Sequence, residues 1–200
     1  GLTAISYGHA GDGNLHVNIL KMDLSDEQWQ KETPIAIAEL FRRIGTGSRY
    51  FVELGAGNGL ENNTTARLLD GWRGCWLECD PERVAVARDK FRRELAAGTL
   101  TLIAEPAEPE TIEARLTEAG VPREPDLLSI DIDGNDYWLW AAIASRTPRA
   151  VVIEYNAALG PELRWVMKYA PDYRWDGSTC VGASLKSLQL LGERKGYRLV

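Results

Sequence analysis

Histidine is nearly absent from this chain: of 200 residues only His9 and His16 are histidine, and none lies beyond position 16. Almost the whole sequence therefore lacks the commonest general base. Cysteine is scarce too, and Cys75, Cys79 and Cys180 form no C-x-x-C pair. An odd, unpaired set suggests neither a disulfide framework nor a zinc site, and reduced, partly buried thiols are expected. Basic charge is short: 23 Lys and Arg against 29 Asp and Glu leave a net charge of -6. Such a balance argues against a nucleic-acid partner, which a basic surface would bind by releasing counterions, and favours a small-molecule one. No apolar run approaches membrane-spanning length, and no charged segment followed by a hydrophobic one opens the chain. The expectation is a cytoplasmic protein with no membrane partner.

What the chain does contain fits one sizeable globular domain, or a domain with an appendage, at 44% hydrophobic and 26% charged residues. Its organising stretch is Tyr50-Phe-Val-Glu-Leu-Gly-Ala-Gly-Asn-Gly59, followed by Asn62-Asn-Thr-Thr-Ala-Arg-Leu-Leu69. An apolar run ending in glycines before a helix start lets backbone approach a nucleotide-like ligand and offers it unpaired N–H groups. The same pattern is also ordinary loop chemistry.

From Tyr50 onward strands and helices alternate. Strands are expected at Tyr50 to Leu54, Gly74 to Cys79, Leu100 to Ala104, Asp126 to Ile132 and Ala150 to Tyr155. Helices fall at Asn62 to Leu69, Pro81 to Glu94, Pro109 to Ala119 and Tyr137 to Ser145, and Ser178 to Leu185 leads into a last one that runs through Arg194. This rhythm predicts an α/β, Rossmann-like, doubly wound and mostly parallel sheet with helices on both faces. Gly196 to Val200 should begin a sixth strand. The sequence then stops, so the last strand is expected to be missing and the sheet edge unpaired, open to a homo-oligomer or to another segment of the chain.

Ligands of such sheets bind at the carboxyl ends of the strands, and four of those ends carry acids. Glu53 precedes the glycines, Glu78 ends the second strand, Asp131 and Asp133 end the fourth, and Glu154 with Asn156 ends the fifth. Glu78 lies about twenty residues past the glycine turn, where a carboxylate grips a ribose diol. Asp80 is its nearest competitor, and a solvated strand-end acid is the alternative.

Phe51 to Gly59, Gly71 to Asp80, Asp126-Leu-Leu-Ser-Ile-Asp-Ile-Asp-Gly-Asn-Asp-Tyr137 and Val151-Val-Ile-Glu-Tyr-Asn156 together resemble S-adenosylmethionine-dependent methyltransferases, most closely the FkbM-type and related families. That resemblance implies that Glu53, Gly55, Gly57 and Gly59 surround the methionine part of the cofactor and Glu78 holds its ribose. It also implies that Asp131 stands near the sulfonium. Methyl transfer is an in-line displacement, so the protein chiefly positions donor and acceptor. Without histidine, an oxygen acceptor would use Asp131, Asp133, Asp136 or Glu154 as base, or a metal ion. Asp131 and Asp133, two apart on a strand, should project to one side and, with Asn156, form an all-oxygen Mg²⁺ or Ca²⁺ site similar to that of catechol-type methyltransferases. The alternative use of these acids is capping the helix at Asp136. Trp138 and Trp140 cannot both face the core, so one could line an acceptor pocket.

The first 49 residues follow another logic and are read as an N-terminal hairpin plus helix, with residues 50–200 as the methyltransferase-like domain. Asp12-Gly13 between two β-rich runs signals a two-residue hairpin, which would set His9 opposite His16 at metal-sharing distance. His9-Ala-Gly-Asp-Gly-Asn-Leu-His16 resembles the substrate domain of FAD-linked oxidases acting on 2-hydroxy acids, a resemblance continuing through Trp29 and Pro34 to Arg43. It implies that His9 and His16 are metal ligands. The flavin-binding domain and the Glu-His-Gly motif of those oxidases are absent. The leading expectation is thus methyl transfer from S-adenosylmethionine to a small-molecule oxygen. The alternatives are a catalytically silent cofactor-binding or interaction domain, and a metal-binding oxidase fragment.

Overall fold

The computed structural model describes residues 3–7, 16–20, 26–171, 173–175 and 177–199, the first three segments by backbone alone as far as residue 31. The chain runs β1 (Thr3–Tyr7), β2 (His16–Leu20), α1 (Asp26–Ile44), β3 (Tyr50–Leu54), α2 (Thr65–Leu69), β4 (Arg73–Leu77), α3 (Pro81–Lys90) and α4 (Arg92–Ala96). It continues with β5 (Leu100–Ile103), α5 (Ile112–Glu118), β6 (Leu127–Ile130), α6 (Asp136–Ala142), β7 (Ala150–Ile153) and α7 (Leu185–Arg194). Strands β3 to β7 form one parallel sheet in the order β5-β4-β3-β6-β7. This is the expected doubly wound α/β sheet, and its order reverses at β3, the first of these strands in the sequence.

Strand alternation distributes β3 between two cores. Tyr50, Val52 and Leu54 face a cluster closed by Ile112 and Leu116 of α5, Leu139 and Trp140 of α6, and Leu188 and Leu191 of α7. Phe51 faces the opposite cluster, with Trp76, Leu68 of α2 and Phe91 between α3 and α4. Ile37, Leu40 and Phe41 of α1 belong to that second cluster and are at most 4% exposed. Their spacing is the helical one, and Phe41 meets Trp72 edge-on at 5.0 Å. The helix assigned to an N-terminal appendage thus covers one face of the sheet.

Loops at the amino ends of the strands are tied by a buried carboxylate. Asp126, fully buried, accepts from the backbone N–H groups of Gly47 and Arg49 at 2.7 to 3.0 Å, and Arg149 lies 3.6 Å away. The cap of α3 follows the sequence rules: Pro81 opens the helix, and Asp80 accepts from Glu82 and Arg83 N–H.

Two expectations fail. Residues 196–199 form no strand: Gly192 O accepts the Tyr197 backbone N–H, while the Tyr197 hydroxyl donates to Pro148 O at 2.8 Å. Those bonds close the end of α7 instead, leaving β7 at the edge of the ladder. The hairpin register pairs Tyr7, not His9, with His16. His9 and the turn lie outside the described residues, as do the side chains of β1 and β2. The backbone of β2 runs beside β7, although the two form separate sheets.

Candidate functional site

At the carboxyl end of β3 the chain crosses the reversal point of the sheet through the glycine loop. Gly55 and Ala56 both donate N–H to Leu77 O, at 3.0 and 3.1 Å, folding the loop over the end of β4. Gly55 has φ +84°, and a methyl group there would lie 1.8 Å from the backbone oxygen of Asp131. Gly59 has φ +77°, and a methyl group there would strike the rings of Phe91 and Trp76 at 2.6 to 2.8 Å. Only glycine satisfies both the left-handed conformation and the close approach at these positions.

Glu53 holds the loop from beneath. It is 1% exposed, and its carboxylate accepts from Asn63 N–H at 2.9 Å, from the Thr64 hydroxyl, and from the Ser129 hydroxyl at 3.3 Å. Trp76 Nε1 donates to Thr64 Oγ1 at 2.8 Å, and Asn63 Nδ2 to Ser129 Oγ at 3.0 Å, completing the network. Burial outweighs these donors and, with the negative charge of Asp131, raises the Glu53 pKa to about 7. The network also explains why α2 starts three residues later than expected. Asn62 Oδ1 caps the Thr65 N–H, while the Thr64 hydroxyl, at the N-cap position, is committed to Glu53.

Glu78 stands one residue past β4 and is 7% exposed. One carboxylate oxygen accepts from Gly57 N–H at 2.7 Å; the other accepts from Cys79 and Asp80 N–H, both at 2.9 Å. It therefore fixes the glycine loop against the turn into α3. Asp80, the competing acid, is occupied by its cap.

Across the reversal point, Asp131 N–H donates to Leu54 O at 3.0 Å, and the chain leaves the strand at once. Since β6 ends at Ile130, strand alternation does not govern Asp131 and Asp133. Asp133 instead adopts φ +58°, and Asp136, 1% exposed, accepts from Ile132 and Gly134 N–H at 3.0 and 2.9 Å. Burial pushes the Asp136 pKa up. This turn brings exposed Asp131 and Asp133 to exposed Glu154, with one carboxylate oxygen of each within 4.8 Å of the others. Glu154 thus joins the two aspartates. The Asn156 Nδ2 donates to Thr179 O and Val181 O at 2.6 and 2.9 Å, and its Oδ1 accepts from Ala158 N–H at 3.0 Å, so this amide ties the loop after β7 to the segment before α7.

A cleft of about 470 Å³ opens beside these acids, lined by Asp133, Asp136, Glu154, Tyr155, Trp175 and Thr179 among others. Neither Trp138 nor Trp140 lines it: Trp140 is core, and Trp138 is half-buried with Nε1 donating to Met167 O at 3.0 Å. Trp175 and Tyr155 were not singled out from the sequence as cleft residues.

No protein-family model matches the chain, and no curated protein is similar to it. Solved structures are. A precorrin-6y C5,15-methyltransferase from Geobacter metallireducens shares 19% identity over 66% of this chain and 63% of its own, with a TM-score of 0.45. An S-adenosylmethionine-dependent methyltransferase from Clostridium acetobutylicum shares 16% over 68% and 50%, at 0.42. A S-adenosylmethionine-bound amino pentose methyltransferase from Micromonospora echinaspora shares 15% over 60% and 47%, at 0.41. The chain thus spans between about half and two thirds of the length of these structures.

Proposed function

We propose that this chain transfers a methyl group from S-adenosylmethionine to an oxygen of a small-molecule acceptor. The observation that carries this reading is the joined pair of glycine loop and Glu78 at the sheet's reversal point, where ligands of open α/β sheets bind. Gly55, Gly57 and Gly59 would lie along the methionine part, with Glu53 shaping the loop from below. A carboxylate offers about four lone-pair sites, and the three that Glu78 commits to backbone leave capacity for a ribose hydroxyl.

In the transfer, the acceptor oxygen would attack the methyl carbon while the carbon–sulfur pair returns to sulfur, leaving a neutral thioether. The hydroxyl proton would pass to a carboxylate of Asp131, Asp133 or Glu154, the exposed acids gathered past the ends of β6 and β7. Their three oxygens would also suit a hard divalent cation such as Mg²⁺. A second copy would add through an unpaired edge of the five-stranded sheet.

Calorimetric titration of S-adenosylmethionine tests the reading directly. Micromolar-range binding by the intact chain, lost in Glu78→Ala, is expected; an intact chain that takes up no cofactor ends the proposal.

A further inference from the structure

We propose that this chain holds a second ligand site, a cavity between the ends of α6 and α7 that takes a small organic carboxylate through Arg146 and Lys195. The cavity measures about 230 Å³, and Leu128, Trp140, Ile143 and Tyr197 line it together with those two cationic residues. It lies toward the amino ends of β6 and β7, whereas the glycine loop and the acid cluster stand at the carboxyl ends of the sheet. The two sites are separate, and this one does not depend on methyl transfer.

The polar side of the cavity is unfinished at Arg146. Its side chain is 10% exposed, with Nη1 donating to Glu113 at 2.8 Å and Nη2 to Thr117 Oγ1 at 2.9 Å, yet its buried Nε meets no acceptor among the described residues. A buried donor left unpaired is rare, and marks a place for a water, an ion or a ligand group. Glu113 has nothing more to offer it. One oxygen of that carboxylate accepts from Ala144 and Ser145 N–H at 2.5 and 2.7 Å, and the other from the Ser145 hydroxyl and Arg146, which fills its roughly four lone-pair sites. Lys195 Nζ donates to a neutral acceptor, Ile143 O, at 2.5 Å, and an ammonium carries further N–H donors. Burial holds the Lys195 pKa below its ordinary value, against the pull of Glu113. A carboxylate in the cavity would offset that cost.

Cationic donors set in an apolar and aromatic wall select a ligand with an anionic end and an apolar body. With Arg146 and Lys195 set against Glu113 alone, the cavity balances a single negative charge, which a carboxylate carries and a phosphate monoester exceeds. Its volume suits roughly ten non-hydrogen atoms at interior packing density.

Phenylacetate, phenylacetamide and phenethylamine share one ring and differ in charge. Each is titrated into the intact chain, following heat and tryptophan fluorescence, with circular dichroism to check the fold of every variant. Phenylacetate should bind with a sub-millimolar Kd, at least about tenfold tighter than phenylacetamide, and phenethylamine weakest. Lys195→Met, at a half-buried position after the last turn of α7, should weaken phenylacetate about tenfold and leave the amide unchanged. Arg146→Lys keeps a charge beside Glu113 but removes the buried Nε–H, and should weaken phenylacetate several-fold. Equal affinities for phenylacetate and its amide overturn the inference, as does a phenylacetate affinity that both substitutions leave unchanged, or no saturation by phenylacetate at millimolar concentration. These titrations contain no S-adenosylmethionine, so their failure leaves the methyl-transfer reading standing, and failure of the cofactor titration leaves this site standing.

Discussion

Replacing Glu53 by glutamine should destabilise this protein at acid pH and stabilise it above neutrality, so that the stability difference between variant and parent changes sign with pH. The Glu53 pKa rises from 4.5 to about 7 because the carboxylate is buried, with Asp131 adding to the effect against the hydrogen bonds it accepts. A raised carboxyl pKa means that the folded state holds a proton which the unfolded chain has released. The resulting stability is complete below pH 4.5 and is lost as pH climbs to about 7. At about 1.4 kcal/mol per pKa unit, the loss is on the order of 3 kcal/mol. Glutamine keeps the shape and the acceptor for Asn63 N–H, but its amide deprives the Thr64 hydroxyl of an acceptor, costing about 1 kcal/mol. The variant should therefore be less stable than the parent at pH 4.5 by about 1 kcal/mol and more stable at pH 8 by about 2 kcal/mol. Urea unfolding of both proteins at half-unit pH intervals gives the two curves. Other titrating groups cancel in the difference, so a difference constant from pH 4.5 to 8 would refute the assignment of a buried, proton-binding carboxyl at position 53.

Gly55→Ala places a methyl group 1.8 Å from Asp131 O at a left-handed position, and should destabilise by more than about 3 kcal/mol or prevent soluble folding. A stable Gly55→Ala protein by thermal melting would contradict the close approach. Asp126→Ala removes the buried carboxylate that accepts from the N–H groups of Gly47 and Arg49, which water can partly replace because both residues are exposed, and should lower stability by about 1 to 2 kcal/mol by urea unfolding. Cys75 is buried, which pushes its thiol up to about 12, whereas Cys79 and Cys180 are exposed. Ellman titration should therefore report two fast thiols in the native protein and a third only in denaturant. Asn156→Ala frees the segment before α7 from the loop after β7, and limited proteolysis should then cut near Thr179 severalfold faster, with little change in overall melting.

By itself the sequence determined the strands of residues 50–153, because each is a short apolar run between turn signals, and parallel strands buried on both faces need no partner information to be read. It also determined the glycine loop and the strand-end position of Glu78, since both follow from local offsets along the chain. Tertiary structure decided the rest. Ile37, Leu40 and Phe41 show helical spacing in the sequence, but only the empty face of the sheet makes α1 part of the core. Asp131 and Asp133 looked like neighbours on a strand; the buried Asp136, gathering two backbone N–H groups, turns the chain at Ile130 and sets them against Glu154 instead. The tie that the Asn156 amide makes was not legible either, because its partners Thr179 and Val181 arrive from a segment more than twenty residues away. The Gly196 to Val200 run carries strand-forming residues, yet Tyr197 donates to Pro148 and closes α7. Local spacing cannot encode such choices, since each depends on which distant group reaches the donor or acceptor first and leaves none buried without a partner.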